Sequence, residues 1–273
     1  MTAGHPDCYG RAVTESVPVV SVIVPTRNER ENVLALHERV AQALTEISFE
    51  LFFVDDSSDD TPAILARLAD RDPRVVVIHR ERGSGLATAV ALGFQRARGD
   101  VFVVMDGDLQ HPPEMIPLMV RLLGEGPASS ETRVSGQVVI PSRFLEGADS
   151  GEMTPFRRFT TRLALQVARI ALPCVRGVND PNGGFFGVRR GVVEGIQLRP
   201  IGWKILVEVL ARGRYTQVVE VPYRFAPRLG ESSKFSWGEQ VRYVRHVSRL
   251  LVVSRRRRRP VVIGCQPGAL GSI

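Results

Sequence analysis

Val101-Phe-Val-Val-Met-Asp106-Gly107-Asp108-Leu-Gln110-His-Pro-Pro113 runs four apolar residues and a methionine into two carboxylates one residue apart. In extended backbone, residues i and i+2 face the same way, so Asp106 and Asp108 offer their oxygens to one side. Such hard donors suit Mg2+ or Mn2+, which one or two carboxylates hold while water and substrate phosphates complete the shell. The stretch reads as a strand ending in a metal-diphosphate site. Asp and Gly also close strands as plain acidic turns, and a lone Asp-Gly-Asp favours that second reading. The neighbouring chain decides between them.

Upstream, the plan repeats. Val19-Val-Ser-Val-Ile-Val24 is a β-branched apolar run of the kind that forms a buried parallel strand. Pro25-Thr-Arg-Asn-Glu29 breaks it, and Val33, Leu36, Val40 and Leu44 follow at helical spacing. A strand over Phe49–Val54, an acidic loop from Asp55 to Asp60 and a helix announced by Thr61-Pro62 form the next unit. A strand over Arg74–Ile78, a loop from Arg80 to Gly85 and a helix over Leu86–Arg98 form the third. Strand-helix alternation on this spacing predicts an α/β fold with a doubly wound, mostly parallel sheet. Ligands bind such sheets beyond the carboxyl ends of the strands. There Pro25–Glu29, Asp55-Asp56 and Asp106/Asp108 would meet.

Downstream, the pattern loosens. Gly124–Gly136 reads as a loop, Val138–Ser142 as a fifth strand ending at Arg143, and 155–172 as an amphipathic helix. In that helix Phe156, Phe159, Leu163, Val167 and Ile170 fall on one side, and Arg158, Arg162 and Arg169 on the other. Asp180-Pro-Asn-Gly-Gly-Phe-Phe-Gly-Val188 reads as a tight loop entering a strand. Trp203–Leu210 reads as a helix and Gln217–Phe225 as a late strand. In the last helix, about Gly238–Val252, Val241, Val244, Val247 and Leu251 share one arc and Arg242, Arg245 and Arg249 the opposite one. Two readings stand for it: a basic helix on an anionic membrane surface, or a helix packed on the domain with a solvated basic face.

Composition sets the limits. The 273 residues are 44% hydrophobic and 24% charged, which is ordinary for a globular chain that buries a large core. No uncharged stretch approaches the roughly eighteen residues of a membrane span, and residues 1–18 lack the pattern of a signal peptide. Cys8, Cys174 and Cys265 are too scattered for a disulfide framework or a zinc spacing. A cytosol-facing protein is expected. Net charge is +7, concentrated in Arg242, Arg245, Arg249 and Arg255 to Arg259. A nucleic-acid binder would interleave aromatics among such charges and lacks a use for the acidic stretch. A dehydrogenase would need Gly-x-Gly-x-x-Gly after the first strand, and none is there.

Taken in order, these pieces closely resemble the family 2 glycosyltransferases of GT-A fold, in the branch of polyprenyl-phosphate (dolichol-phosphate) mannose synthases. The residues that carry the resemblance are Val22-Ile-Val-Pro-Thr-Arg-Asn-Glu29, Phe53-Val-Asp-Asp-Ser-Ser-Asp59, Met105-Asp-Gly-Asp-Leu-Gln110, Ser142-Arg143, Asp180-Pro-Asn-Gly-Gly-Phe-Phe186, Gly202-Trp-Lys-Ile-Leu206 and Gly230-Glu-Ser-Ser-Lys234. The resemblance runs from about Val19 to Leu251. The resemblance implies a domain over 19–235, with a disordered leader over 1–18, a basic membrane-surface helix over 236–259 and a flexible tail over 260–273.

The resemblance also implies roles. Pro25, Arg27, Glu29, Val54 and Asp56 would line the nucleotide pocket, with Arg27 where relatives often carry Tyr. Asp106, Gly107, Asp108 and Gln110 would receive the donor diphosphate, with Asp106, Asp108 and Gln110 on a Mg2+ or Mn2+ cofactor. Arg228 and Lys234 would reach the donor phosphates from a loop that orders on binding. Arg143, with Arg157 or Arg158, would bind the acceptor phosphate. Asp106, Asp108 and Asp180 would be the catalytic residues; in relatives with hydroxyl acceptors a carboxylate near Asp180 is the general base, and with a phosphate acceptor Asp180 would orient the site or hold arginines.

Two departures touch the acceptor side. Asn182-Gly183-Gly184 stands where relatives carry Ser or Thr before the glycine, and Pro227 stands where they carry Arg, with Arg228 one later. The implied reaction is inverting transfer of mannose from GDP-mannose to a polyprenyl phosphate at the cytosolic membrane face. Its implied partners are a nucleotide-sugar donor, the lipid acceptor, an anionic membrane surface and a separate transmembrane partner or peripheral docking without one, and no nucleic acid. UDP-glucose as donor, and a catalytically weak paralogue that binds nucleotide sugar or membrane, are the alternatives.

Overall fold

The computed structural model describes residues 17–83, 85–124, 136–148, 165–224, 237–254 and 259–265. Its elements are β1 (Val20–Thr26), α1 (Val33–Ala43), β2 (Phe49–Asp55), α2 (Thr61–Arg71), β3 (Val75–His79), α3 (Leu86–Arg96), β4 (Val101–Val104), α4 (Ile116–Leu122) and β5 (Val138–Ser142). There follow α5 (165–171), β6 (Phe186–Arg189), a helical turn α6 (Arg190–Val193), α7 (Ile205–Arg212), β7 (Gln217–Pro222), α8 (Trp237–Ser254) and β8 (Val261–Gly264).

The eight strands form one sheet in the order β3-β2-β1-β4-β6-β5-β7-β8. Every pairing is parallel except those of β6, which runs antiparallel to both β4 and β5. The apolar runs are continuous because both faces of the sheet are covered. Val22, Val24, Leu51, Phe53, Val101 and Val103 pack to one side with α1, α2 and α4. Their neighbours Ile23, Phe52, Val54, Phe102 and Val104 pack to the other, with α3, α7 and α8. Helix α3 lies so close to β1 that a Cβ on Gly93 would stand 2.5 Å from Ile23 Cγ2, so glycine there sets the helix-sheet spacing.

The strand order reverses beside β1, between β2 and β4, which opens a crevice at the carboxyl ends of those strands. Because β6 is antiparallel and pairs Phe186 with Val104, its entry loop also arrives at that edge. The ends of β5 and β7 open there too, since both run parallel to each other and opposite to β6.

Three expectations are corrected. Residues 260–273 were expected as a flexible tail, but Val261–Gly264 pairs with β7 as the edge strand and Cys265 is buried. Three successive β-branched residues at an open sheet edge are well placed to form a strand. In α5 the buried side is Leu165, Ala168 and Leu172, with Val167 partly buried against the same core, while Ile170 is 74% exposed and does not belong to the inner stripe. The described part of that helix is 165–171, and Phe156, Phe159 and Leu163 lie outside it.

The last helix is packed on the domain, which therefore continues past residue 235. Its inner side is Tyr243, His246, Val247, Leu250 and Ser254, while Val244 is 52% exposed. The inner face was hidden because it carries a histidine. His246 Nε2 lies 2.6 Å from Glu208 Oε2 on α7, and both are buried. Glu208 Oε1 also accepts from the Arg199 amide at 2.8 Å and from Arg212 Nε at 2.6 Å. Burial alone would raise its pKa; the hydrogen bonds from His246 and Arg199 and the charge of Arg212 outweigh that and hold it below the ordinary value. The exposed side of α8 carries Arg242, Arg245 and Arg249. Removing one partner of a buried pair strands the other, so Glu208→Ala should cost about 3–5 kcal/mol in urea unfolding. A loss below about 1 kcal/mol would show that α8 is not held through this carboxylate.

Candidate functional site

The crevice is built first by a clamp between the β1 and β2 loops. Asp55 is wholly buried and accepts from Thr26 Oγ1 at 2.8 Å and Ser57 Oγ at 2.5 Å, while His79 Nδ1 lies 2.7 Å from its other oxygen. Asn28 takes a left-handed conformation (φ 61°), which Asn tolerates better than most residues. Its amide donates to Ser57 Oγ at 2.7 Å and its Oδ1 accepts from the Ser58 amide at 3.0 Å. The Arg27–Glu29 turn is thereby fixed over the end of β2, with Arg27 exposed and Glu29 partly exposed. Pro25 is buried, and the Val54 side chain lies wholly in the core.

Of the adjacent Asp55-Asp56 pair, only Asp56 turns toward the crevice rim. It is held in a bidentate pair by Arg80, at 2.7 Å from Nε and 2.6 Å from Nη2. Gly83 passes so close that a Cβ there would collide with the Asp56 carboxylate.

The β4 loop completes this side of the crevice. Gly107 sits against the β1 loop, since a Cβ on it would meet Thr26 Cγ2 at 3.3 Å and Glu29 Cγ at 3.5 Å. Asp106 and Asp108 are both partly exposed, and the Gln110 amide donates to Asp108 Oδ1 at 3.2 Å. Leu109 has φ 62°, a strained value for a side chain of that size. The turn brings His111 back beneath its own loop, where Nδ1 accepts the Asp106 amide at 3.1 Å. The ring is 2% exposed, stacks on Phe185 at 5.1 Å and faces Tyr223 at 6.4 Å. Burial pushes the His111 pKa down to about 4; the charges of Asp108 and Asp180 oppose this, and those of Arg143 and Lys204 add to it.

The opposite side of the crevice turns on one ion pair. Arg143 Nε and Nη2 donate to the two oxygens of Asp180 at 2.8 and 2.9 Å, and Asp180 is 1% exposed. Burial works against the Arg143 charge, but its bonds to Asp180 and the nearby negative charges raise its pKa above the ordinary arginine value. The loop that carries Asp180 is pinned by buried Glu220 of β7, which accepts from the Asn179 amide at 2.9 Å and the Asp180 amide at 3.1 Å. Lys204 Nζ donates to the Asn182 carbonyl at 2.8 Å and lies 4.6 Å from the Trp203 ring. Gly184 lies against Asp106, and a Cβ there would be 2.8 Å from Asp106 Oδ2.

The structure thus brings Pro25, Glu29, Asp56, Asp106, Gly107, Asp108, Gln110, Arg143 and Asp180 to one edge of the sheet. Arg157, Arg158, Arg228 and Lys234 lie outside the described residues. Both oxygens of Asp180 hold Arg143, the arrangement expected of a carboxylate that holds an arginine rather than of a base. Sequence reasoning gave no role to Arg80, His111, Glu220 or Tyr223. Only His111 carried a signal, as a lone histidine inside the acidic stretch.

The donor chemistry fits a hard divalent cation of the two-carboxylate kind. Among the described residues no cluster of three or more His, Cys, Asp or Glu side chains forms an all-protein cage. Two partly exposed carboxylates instead leave room for water and phosphate oxygens.

A sheet with this order and this acidic edge presents a ligand crevice at the carboxyl ends of β1 and β4. The model of the family "Glycosyl transferase family 2" matches residues 21–196, and the chain belongs to that family. It is 43% identical over 232 residues to the dolichol-phosphate mannosyltransferase of Pyrococcus furiosus, a match that spans 85% of this chain and 63% of that protein. It is 33% identical over 244 residues to the dolichol-phosphate mannosyltransferase of Saccharomyces cerevisiae, across 85% of this chain and 86% of the relative. The fold matches glucosyl-3-phosphoglycerate synthase from Mycobacterium tuberculosis, solved with Mn2+, UDP and glucosyl-3-phosphoglycerate. There the TM-score is 0.61 at 18% identity, over 86% of this chain and 79% of that one.

The lowered His111 pKa has a signed consequence for the metal-free protein. A histidine kept neutral by the fold contributes stability above about pH 6.5, and loses it as pH falls toward about 4. Urea midpoints measured in chelator should fall across that window, and His111→Phe should flatten the fall. An identical pH dependence in both proteins would contradict the placement of the ring.

Proposed function

We propose that the protein transfers mannose, with inversion, from GDP-mannose to a polyprenyl phosphate. The observation that carries this reading is the meeting of two carboxylates one residue apart and a partly buried arginine at one sheet edge. The chain in which they meet is 43% identical to a dolichol-phosphate mannosyltransferase. In the reaction an acceptor phosphate oxygen attacks the anomeric carbon. The bond from that carbon to the donor diphosphate breaks, and its electron pair leaves on the diphosphate. Asp106 and Asp108 would hold a divalent cation, Mg2+ or Mn2+, with Gln110 beside them. When bound, the cation neutralises charge that grows on the leaving diphosphate. Pro25, Arg27, Glu29, Val54 and Asp56 would form the nucleotide side, with Arg228 and Lys234 reaching the phosphates.

An alkyl phosphate has its second pKa near 6 and is mostly dianionic at neutral pH, so its oxygen needs no strong general base. That agrees with Asp180 serving as the anchor of Arg143. Freeing an Asp180 oxygen would strand a buried charge, at about 3–5 kcal/mol. Arg143 and Lys204, with Arg157 or Arg158, would clamp the acceptor phosphate. Phe144 and Trp203 are 39% and 44% exposed and adjoin these two cations, which gives a lipid chain an apolar border beside its charged head.

The exposed arginines of α8 support peripheral docking on an anionic, cytosol-facing membrane surface, alone or beside a transmembrane partner. Among the described residues no helix is long and apolar enough to cross a membrane. A UDP-glucose donor is the second reading, favoured by the UDP-bound structural neighbour.

Purified protein with Mg2+, polyprenyl phosphate and labelled GDP-mannose should yield a lipid-linked sugar, and UDP-glucose should yield little. Asp108→Asn should lower kcat by at least about 100-fold. Donor binding without any product from either donor would favour the paralogue. Reversing Arg242, Arg245 and Arg249 to Glu should abolish flotation with phosphatidylserine vesicles; unchanged flotation would move the membrane contact elsewhere.

A further inference from the structure

His111 belongs to no role above, yet it is built into the centre of the site. Its ring is lodged between the two loops that the function would have to coordinate. On one side Nδ1 accepts the Asp106 amide at 3.1 Å, which places the ring proton on Nε2. That nitrogen lies 3.8 Å from Asp106 Oδ2, beyond hydrogen-bond reach, so the ring holds Asp106 by its backbone and stands beside its carboxylate. On the other side the ring stacks on Phe185, with planes 13° apart. Phe185 directly follows Gly184, the residue that presses on Asp106 from the Asp180 loop. The strained left-handed turn at Leu109 is what allows the chain to fold back so far within five residues.

We propose that His111 is a positioning residue, which sets the orientation of the Asp106 carboxylate and registers it against the loop that carries Asp180. The proposal rests on the reading of Asp106 and Asp108 as holders of a divalent cation. In metal sites the groups that orient a ligand matter to affinity by about 10–100-fold. The ring acts here through hydrogen bonding and packing, not through chemistry on the substrate.

The test uses the full chain with GDP and Mn2+, reading free Mn2+ by electron paramagnetic resonance, with no turnover required. His111→Phe keeps the stacked ring and loses the acceptor. It should weaken Mn2+ binding at least about tenfold and leave metal-free GDP binding unchanged. His111→Asn restores an acceptor near the Nδ1 position and should recover most of the loss. Mn2+ affinity in His111→Phe equal to wild type would overturn the inference. So would His111→Asn as weak as His111→Phe at a wild-type melting temperature. Should His111→Phe fail to fold, His111→Leu takes its place under the same criteria. A wild-type chain that binds no Mn2+ with GDP would overturn the metal reading itself; normal wild-type binding with an unaffected His111→Phe overturns this inference alone.

Discussion

The pairing of Val104 with Phe186 is the contact on which the site depends. A strand inserted antiparallel between β4 and β5 delivers its entry loop, rather than its exit, to the carboxyl end of β4. That places Gly184 against Asp106 and brings Asp180 within reach of Arg143 at the end of β5. Were β6 parallel, the Asp180 loop would open at the opposite edge, and the acidic loop would face no acceptor side. The topology makes one two-sided site out of segments that lie 37 residues apart at Arg143 and Asp180.

Buried carboxylates hold this arrangement rigid, and each is provided with partners. Glu50 ties β2 to β1 through Ser21 Oγ at 2.7 Å and to the segment before β4 through the Arg98 amide at 2.6 Å. Asp55 joins the ends of β1, β2 and β3. Glu220 pins the Asp180 loop, and Glu208 fastens α8. A charge taken out of water costs several kcal/mol unless it is paired and hydrogen-bonded, so each of these positions specifies its partners strongly. At Asp180 the same cost favours the proposed support of Arg143, because the carboxylate is already committed twice to that guanidinium.

Legibility in the sequence followed the physics of each element. The strands β1 to β4 announce themselves because strands buried on both faces are unbroken apolar runs between turn residues. The carboxylates of the β4 loop stood out only in their order with Pro25–Glu29 and Asp55-Asp56, since a lone Asp-Gly-Asp after such a run favours a plain acidic turn. The inner face of α8 was not, because Tyr243 and His246 occupy it and their partner Glu208 is distant in sequence. Strand β8 was hidden by its shortness and by the arginine run before it. The Arg143–Asp180 pair and the fold-back of His111 are tertiary contacts, and no local pattern encodes them.

The direct measurement of the central claim is a crystal structure of the full chain grown with GDP and Mn2+. A single ion should lie between the Asp106 and Asp108 carboxylates and the nucleotide diphosphate, with Arg143 still bound to Asp180. An ion bound away from both carboxylates, or a diphosphate seated elsewhere than the carboxyl edge of β1 and β4, would contradict it.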